Sequence, residues 1–353
     1  MNRPAKFLLF PLAALFGLGV SMRKFFFSSK ILRSSKFSVP IISVGNLSVG
    51  GTGKSPLVEY LLRLLTPYIQ VGCLSRGYGR KTNGFRFVNI DDSPDLVGDE
   101  PLQFKRNFPE ITVAVGEKRS LAIPFILQNE PNTQALILDD AFQHLSVKPY
   151  LNILLTTFQN PYATDYLLPV GSLRESRSAA KRAEIIIVTK SPSSLSDIEM
   201  KNFEKKLGVE SYQHLFFSSI SYGTLYALNE PRHILYLKND IEVVLISGIA
   251  NAEPLEQYLN LNSKKTLSLN FEDHHNFVEE DINQVISIYE NLQIDKKIIV
   301  TTEKDATRLR KFSKKFDEKN IPVFVQPIQV VFHKNSKINF DDLIKNYLLD
   351  FKN

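Results

Sequence analysis

Residues 48–55 read Ser-Val-Gly-Gly-Thr-Gly-Lys-Ser, and nothing else in the chain limits its fold so tightly. The run follows an apolar stretch at 41–44 and leads into Pro56-Leu57-Val58-Glu59, where the spacing predicts a helix over 56–65. A strand, a glycine-rich turn ending Gly-Lys-Ser and a helix, in that order, are the context of a P-loop. Glycines let successive backbone N–H groups turn inward around phosphate oxygens, and the helix N-terminus adds a positive dipole end. On this pattern Ser48, Val49, Gly50, Gly51, Thr52, Gly53, Lys54 and Ser55 line a triphosphate. The Lys54 ammonium reaches the β- and γ-phosphates, and the Ser55 hydroxyl ligates Mg²⁺. Ser48 stands where the usual pattern has glycine.

A P-loop needs a second carboxylate at the end of a neighbouring strand. Ala135-Leu136-Ile137-Leu138-Asp139-Asp140 supplies it, with Asp139 expected to hold Mg²⁺ directly or through water and Asp140 beside it. Phe142-Gln143-His144 then puts polar groups at the same strand end, where ligands bind in open α/β sheets. Further apolar runs at 71–74, 111–115, 151–155 and 185–188 alternate with helical stretches around 117–128 and 196–206. Such alternation means a parallel sheet covered on both faces. From 222 to 238 an aromatic-rich alternation suggests a hairpin or crossover, after which strands (243–247, 266–271, 298–301, 323–325) and helices (254–259, 281–291, 340–349) resume. The expected fold is α/β: a P-loop NTPase-type, mostly parallel sheet covered by helices, a second smaller α/β domain, and an N-terminal hydrophobic membrane-associating helix. The expected boundaries are 1–28, 29–221 and 222–353, the last including the connecting hairpin, and 353 residues suit two domains.

Charge is unevenly placed. Residues 1–36 hold seven basic groups (Arg3, Lys6, Arg23, Lys24, Lys30, Arg33, Lys36) and no acid. The rest carries 36 basic against 37 acidic groups, which argues against a nucleic-acid surface spread over the fold. A single cysteine, Cys73, excludes an intrachain disulfide and fits a reducing compartment. From Phe7 to Val20 no side chain is polar; as a helix this run spans about 21 Å at ~1.5 Å per residue, with Pro11 expected to kink it. A cleaved signal, a transit peptide, a buried helix and a retained anchor all compete. Met22-Arg23-Lys24 makes a poor cleavage site, and the anchor fits both the apolar block and its basic flanks.

Five further clusters carry candidate chemistry: Ser75-Arg76-Gly77-Tyr78-Gly79-Arg80, Gly98-Asp99-Glu100-Pro101, Leu168-Pro169-Val170-Gly171-Ser172-Leu173-Arg174-Glu175, Asp273-His274-His275 and Thr302-Glu303-Lys304-Asp305. Singly, each has a bland alternative in surface charge, helix caps or turns, and the two histidines lack the spacing of a zinc site. The last cluster has the form of a guanine-reading motif but lies far downstream in the second domain, and the P-loop alone leaves a membrane-attached GTPase or ATPase switch without a lipid acceptor as the alternative.

Together and in order, with Val44-Gly45-Asn46 before the P-loop and Asp139-Asp140-Ala141-Phe142-Gln143-His144, these clusters resemble the tetraacyldisaccharide 4′-kinase family of lipid A synthesis. The resemblance spans nearly the whole chain; Ala141 stands where the family usually has glycine. It implies ATP- and Mg²⁺-dependent phosphorylation of the 4′-hydroxyl of an acylated glucosamine disaccharide 1-phosphate, at the cytoplasmic face of a Gram-negative inner membrane. The implied partners are the lipid substrate, ATP and the membrane surface, with no nucleic acid and no obligatory protein. By resemblance Asp99 accepts the sugar proton, paired with His274 across a domain cleft that closes about 222–238, and Lys54 completes the catalytic set. Ser55, Asp139 and Glu100 hold the metal, and Arg76, Tyr78, Arg80, Gln143, Arg174 and Glu175 bind the substrate.

Overall fold

The computed structural model describes residues 8–334 and 338–352. Arg3, Lys6 and Phe7 of the basic apolar arm lie outside them.

The apolar runs form strands in the expected places: β1 (Ile41–Asn46), β2 (Val71–Ser75), β3 (Arg86–Phe87), β4 (Thr112–Val115), β5 (Ala135–Leu138), β6 (Leu151–Thr157), β7 (Ile185–Thr189) and β8 (His214–Tyr222). With β15 (Ile328–Phe332) they make one sheet, ordered β15-β8-β7-β6-β1-β5-β2-β4-β3. Its inner strands are parallel; β3 and β15 run antiparallel at the two edges. The strands are apolar throughout because both faces are covered. Ile42, Val44 and Ile137 pack under Leu57, Val58, Leu61 and Leu62 of the helix Lys54–Leu65, whereas Ile41, Leu136 and Leu138 pack on Ala122, Ile123 and Ile126. Alternate side chains of one strand thus feed two cores.

A second sheet contains β9 (Leu225–Ala227), β10 (Ile234–Leu235), β11 (Glu242–Ser247), β12 (Lys265–Asn270), β13 (Lys297–Thr302) and β14 (Val323–Gln326), ordered β10-β9-β14-β13-β11-β12. The expected assignment of everything from 222 to 353 to this body needs correction. After β14 the chain crosses back, β15 pairs with β8 at Ile328↔Tyr222, and the helix Phe340–Leu349 buries Phe340, Leu343 and Ile344 in the first core. Aromatic complementarity draws it there: Phe340 stacks on Phe332 at 4.1 Å, and both meet the Tyr60 ring. Two crossings lie side by side, tied by Gly223 N–H donating to Pro327 O at 2.9 Å and Gln326 Nε2 to Gly223 O at 2.6 Å.

The N-terminal helix runs Phe10–Ser28, 19 residues or roughly 28 Å, so it continues past the apolar run through Arg23-Lys24. Pro11 falls in its first turn, where the missing N–H has no partner to lose, so the expected kink does not arise. Only Ala13 is buried, and among the described residues this is the one helix long and apolar enough to cross a membrane. Phe10 meets the Tyr166 ring edge-on, and Arg23 donates to Gln143 O at 3.2 Å.

Candidate active site

β1 ends at Asn46, and the loop that follows enters the helix Lys54–Leu65 through Gly53 at φ 84°, a conformation that favours glycine. No side chain caps this helix, which leaves its first N–H groups to an external acceptor. The run 167–174 braces the loop from behind: Val49 N–H donates to Ser172 O at 2.8 Å and Arg174 N–H to Leu47 O at 2.7 Å. Arg174 then forks onto Asp140, at 3.1 Å to Oδ2 and 2.8 Å to Oδ1, and donates to Asn46. Lys54 Nζ donates to Asn46 Oδ1 at 3.3 Å and lies 3.8 Å from Asp140 Oδ1. Burial opposes ionisation of Asp140, but the Arg174 hydrogen bond and the Lys54 charge outweigh it and hold the carboxyl below its usual range. Two cations and an ionised acid therefore converge on the loop.

Asp139 behaves oppositely. Burial, then the charges of Glu100 and Asp140, push its carboxyl up to about 7. Its Oδ2 accepts from Ser75 Oγ at 2.9 Å, while Oδ1 is buried without a partner. Ser55 Oγ donates to Glu100 Oε1 at 2.8 Å. An orphaned buried carboxylate oxygen facing a second acid is the environment a cation relieves. Among the described residues no three His, Cys, Asp or Glu side chains form a metal cluster. Two carboxylates and a hydroxyl form a sparse oxygen set that fits Mg²⁺, which keeps waters and takes phosphate oxygens.

Asp99 opens the helix Asp99–Asn107 behind Gly98, whose φ is 91° and whose Cα faces Gly77; a Cβ there would sit 3.0 Å from Tyr78 O. This close approach brings the 75–80 loop against Asp99. From the second body, His274 Nδ1 reaches Asp99 Oδ2 at 3.0 Å and Arg308 donates to the same oxygen at 3.1 Å. The Tyr78 ring lies 5.4 Å from the His274 ring. His275 pairs instead with Asp281, at the start of the helix Glu279–Asn291.

The remaining expected substrate residues divide. Arg76 is exposed, and Gln143 donates from Nε2 to Asn46 O at 2.9 Å while its Oε1 is unpartnered. Arg80 is committed to Glu117 and Gly84 O with its side chain 2% exposed, so it braces a loop and offers no free guanidinium. Glu175 is likewise buried against Arg182 at 2.7 Å, and Arg182 packs over the Phe142 ring. Burial first, and then the charges of Arg119 and Arg76, push His144 down to about 4.

Sequence reasoning missed three groups. Arg119 is fully buried behind the strand end and donates to Asp139 O at 3.2 Å. Lys190 closes β7 at φ 54°, its Nζ 3.9 Å from where a Gly51 Cβ would sit. Arg308 sits six residues past the noticed Thr302, on the helix Glu303–Leu309. Arg308 alone had a signal, the helical spacing from Asp305.

This architecture recurs in known proteins. The family model described as tetraacyldisaccharide-1-P 4′-kinase matches residues 5–348. A tetraacyldisaccharide 4′-kinase of Parabacteroides distasonis is 42% identical over 347 residues, covering 97% of this chain and 94% of that protein. The Flavobacterium johnsoniae protein of that name is 41% identical over 343 residues, covering 97% and 96%. A solved structure from Aquifex aeolicus, described as the "apo" form of LpxK in complex with ATP, matches with a TM-score of 0.75 at 27% identity and covers 98% of this chain and 99% of that one. With the phosphate cradle, the acid pair and the two-body arrangement all present, the chain belongs to the tetraacyldisaccharide-1-P 4′-kinase family.

Proposed function

We propose that the protein transfers the γ-phosphate of ATP to the 4′-hydroxyl of an acylated glucosamine disaccharide 1-phosphate, the reaction named for its relatives. The observation that carries this reading is the Ser55–Glu100 hydrogen bond, which ties the start of the Asp99 helix to the phosphate cradle. An acceptor hydroxyl activated by Asp99 then meets the phosphate held by Lys54 and the loop amides. A nucleotide switch without an acceptor has no use for that base.

Phosphoryl transfer asks the protein mainly for positioning and charge neutralisation. Asp99 takes the proton from the sugar O–H as that oxygen bonds to the γ-phosphorus and the β–γ bridging P–O bond breaks, releasing ADP. Lys54 and the helix N-terminus balance charge on the phosphate oxygens. Ser55, Asp139 and Glu100 would hold Mg²⁺, whose charge would add to the neutralisation of the transferred phosphate. Exposed Arg76 is suited to the substrate's own phosphate, with Tyr78 and Gln143 lining the approach.

An acylated substrate stays in the bilayer, so the enzyme must come to it. The exposed apolar helix Phe10–Ser28 with its basic residues would seat the protein on the cytoplasmic face of a Gram-negative inner membrane. Its Arg23 contact to Gln143 O links that helix to the strand end bearing Asp139. The test is transfer of labelled γ-phosphate to a detergent-solubilised acylated disaccharide 1-phosphate, with a monosaccharide, a protein and no acceptor as controls. Label should move only to the lipid; steady ATP hydrolysis indifferent to it would sink the proposal.

A further inference from the structure

His274 is held at both ring nitrogens. Nδ1 lies 3.0 Å from Asp99 Oδ2, and Nε2 lies 3.0 Å from Lys304 Nζ, which also lies 3.5 Å from Asp273 Oδ1. A lysine ammonium has three donors and no acceptor, so the imidazole nitrogen facing it must present a lone pair. A doubly protonated ring would set an N–H against that ammonium at hydrogen-bond distance, a like-charge clash. The single ring proton then sits on Nδ1 and is donated to Asp99.

We infer that Lys304 is a positioning residue: by donating to the Nε2 lone pair it holds the His274 ring in the orientation that gives Nδ1–H to Asp99, the tautomer that the acceptor-only Asp99 carboxylate itself requires. This rests on the proposal that Asp99 is the base. His274 then has no free lone pair for the substrate; it orients Asp99 and takes no proton itself. Asp99 Oδ2 receives two donors, His274 Nδ1–H and Arg308, which leaves Oδ1 to the sugar hydroxyl. Arg308 is itself held by Gly248 O at 3.1 Å and by Asp305, whose Oδ2 accepts from Gly248 N–H at 3.0 Å. His274, Lys304 and Arg308 all come from the second body and Asp99 from the first, so the tautomer acts on the base only when the two bodies meet.

The experiment uses the full-length protein with ¹⁵N-labelled histidine at pH 8, the His274 signals being assigned by their loss in His274→Gln. Wild type should give the neutral Nδ1–H pattern. Lys304→Met should leave Nδ1–H in place but free the Nε2 lone pair, moving the Nε2 resonance toward that of an unbonded imidazole nitrogen, and lower kcat by about 10–100-fold with KM for ATP unchanged, as losing an orienting partner does. Lys304→Arg, again a donor only, should restore both. A Lys304→Met protein whose Nε2 resonance stays at the wild-type position, or that turns over at the wild-type rate, overturns the inference. Should Asp99→Ala keep its turnover while Lys304→Met still shifts the ring signals, the base proposal falls and the tautomer assignment stands.

Discussion

The glycine-rich loop and the Asp99–His274 pair, which the proposed mechanism joins in one reaction, are built in opposite ways. The cradle is a contiguous run, 46–55, braced by segments of a single sheet and its loops: Arg174, Asp139 and Thr189, whose Oγ1 donates to Thr52 O at 2.8 Å. The pair joins residues 175 apart in sequence, and its Arg308 brace lies 209 from Asp99. One site exists whenever the first body is folded. The other exists only while the two bodies touch. Nucleotide affinity and turnover should therefore be separable by mutation.

Asp99→Ala tests that separation most strongly. Turnover should fall about 10²–10⁴-fold, the usual worth of a general base, while calorimetric titration finds ATP affinity within about twofold of wild type. Loss of ATP binding along with turnover would break the comparison. Lys54→Ala should do what Asp99→Ala does not: raise the Kd for ATP and lower kcat/KM together, by about 10²–10³-fold, as expected of the cation proposed to neutralise the phosphates.

A smaller effect sharpens the picture of the joint. Glu59, on the helix that starts at the cradle, is buried with its Oε1 accepting from Gln103 and Asn107, each at 2.9 Å. Asn107 also reaches Glu303 of the second body at 3.3 Å. Burial, then the Glu303 charge, push the Glu59 carboxyl up to about 8, and burial raises Glu303 too. The folded protein thus retains a proton that the unfolded chain, with a carboxyl near ~4.3, releases. The associated stability is complete below that unfolded value and is lost as pH rises through about 8. Glu59→Gln keeps the acceptor without the charge. Its Tm should exceed wild type by roughly 2–4 °C at pH 9 and converge with it at pH 4 and below. A lower Tm than wild type at pH 9 would mean that the ionised carboxylate stabilises the joint.

Legibility follows the same divide. The strand–loop–helix order around Lys54 and the apolar strand ending at Asp139 were readable because each is a property of neighbouring residues. The domain boundary at 222 was only half readable. The chain does leave the first sheet there, but β15 and the helix Phe340–Leu349 return to it, and nothing in their pattern says which sheet they complete. Arg76 and Arg80 looked equivalent in sequence, yet Arg80 is consumed by Glu117 while Arg76 stays exposed. Arg119 and Lys190 carried no local sign, because an isolated cation gains meaning only from the acid or loop it meets.

By itself, the sequence determined an α/β chain with a triphosphate loop, an acid-tipped neighbouring strand and an apolar N-terminal helix. Hydrogen-bond closure, side-chain period and helix-end dipoles act over a few residues and leave their mark in local order. Only the tertiary structure decided which histidine faces Asp99, which arginines are spent on loops, and that Lys304 occupies the far side of the imidazole. Those outcomes depend on which surfaces meet across two sheets, and a side chain's partner is set by distance in space, which sequence separation does not encode.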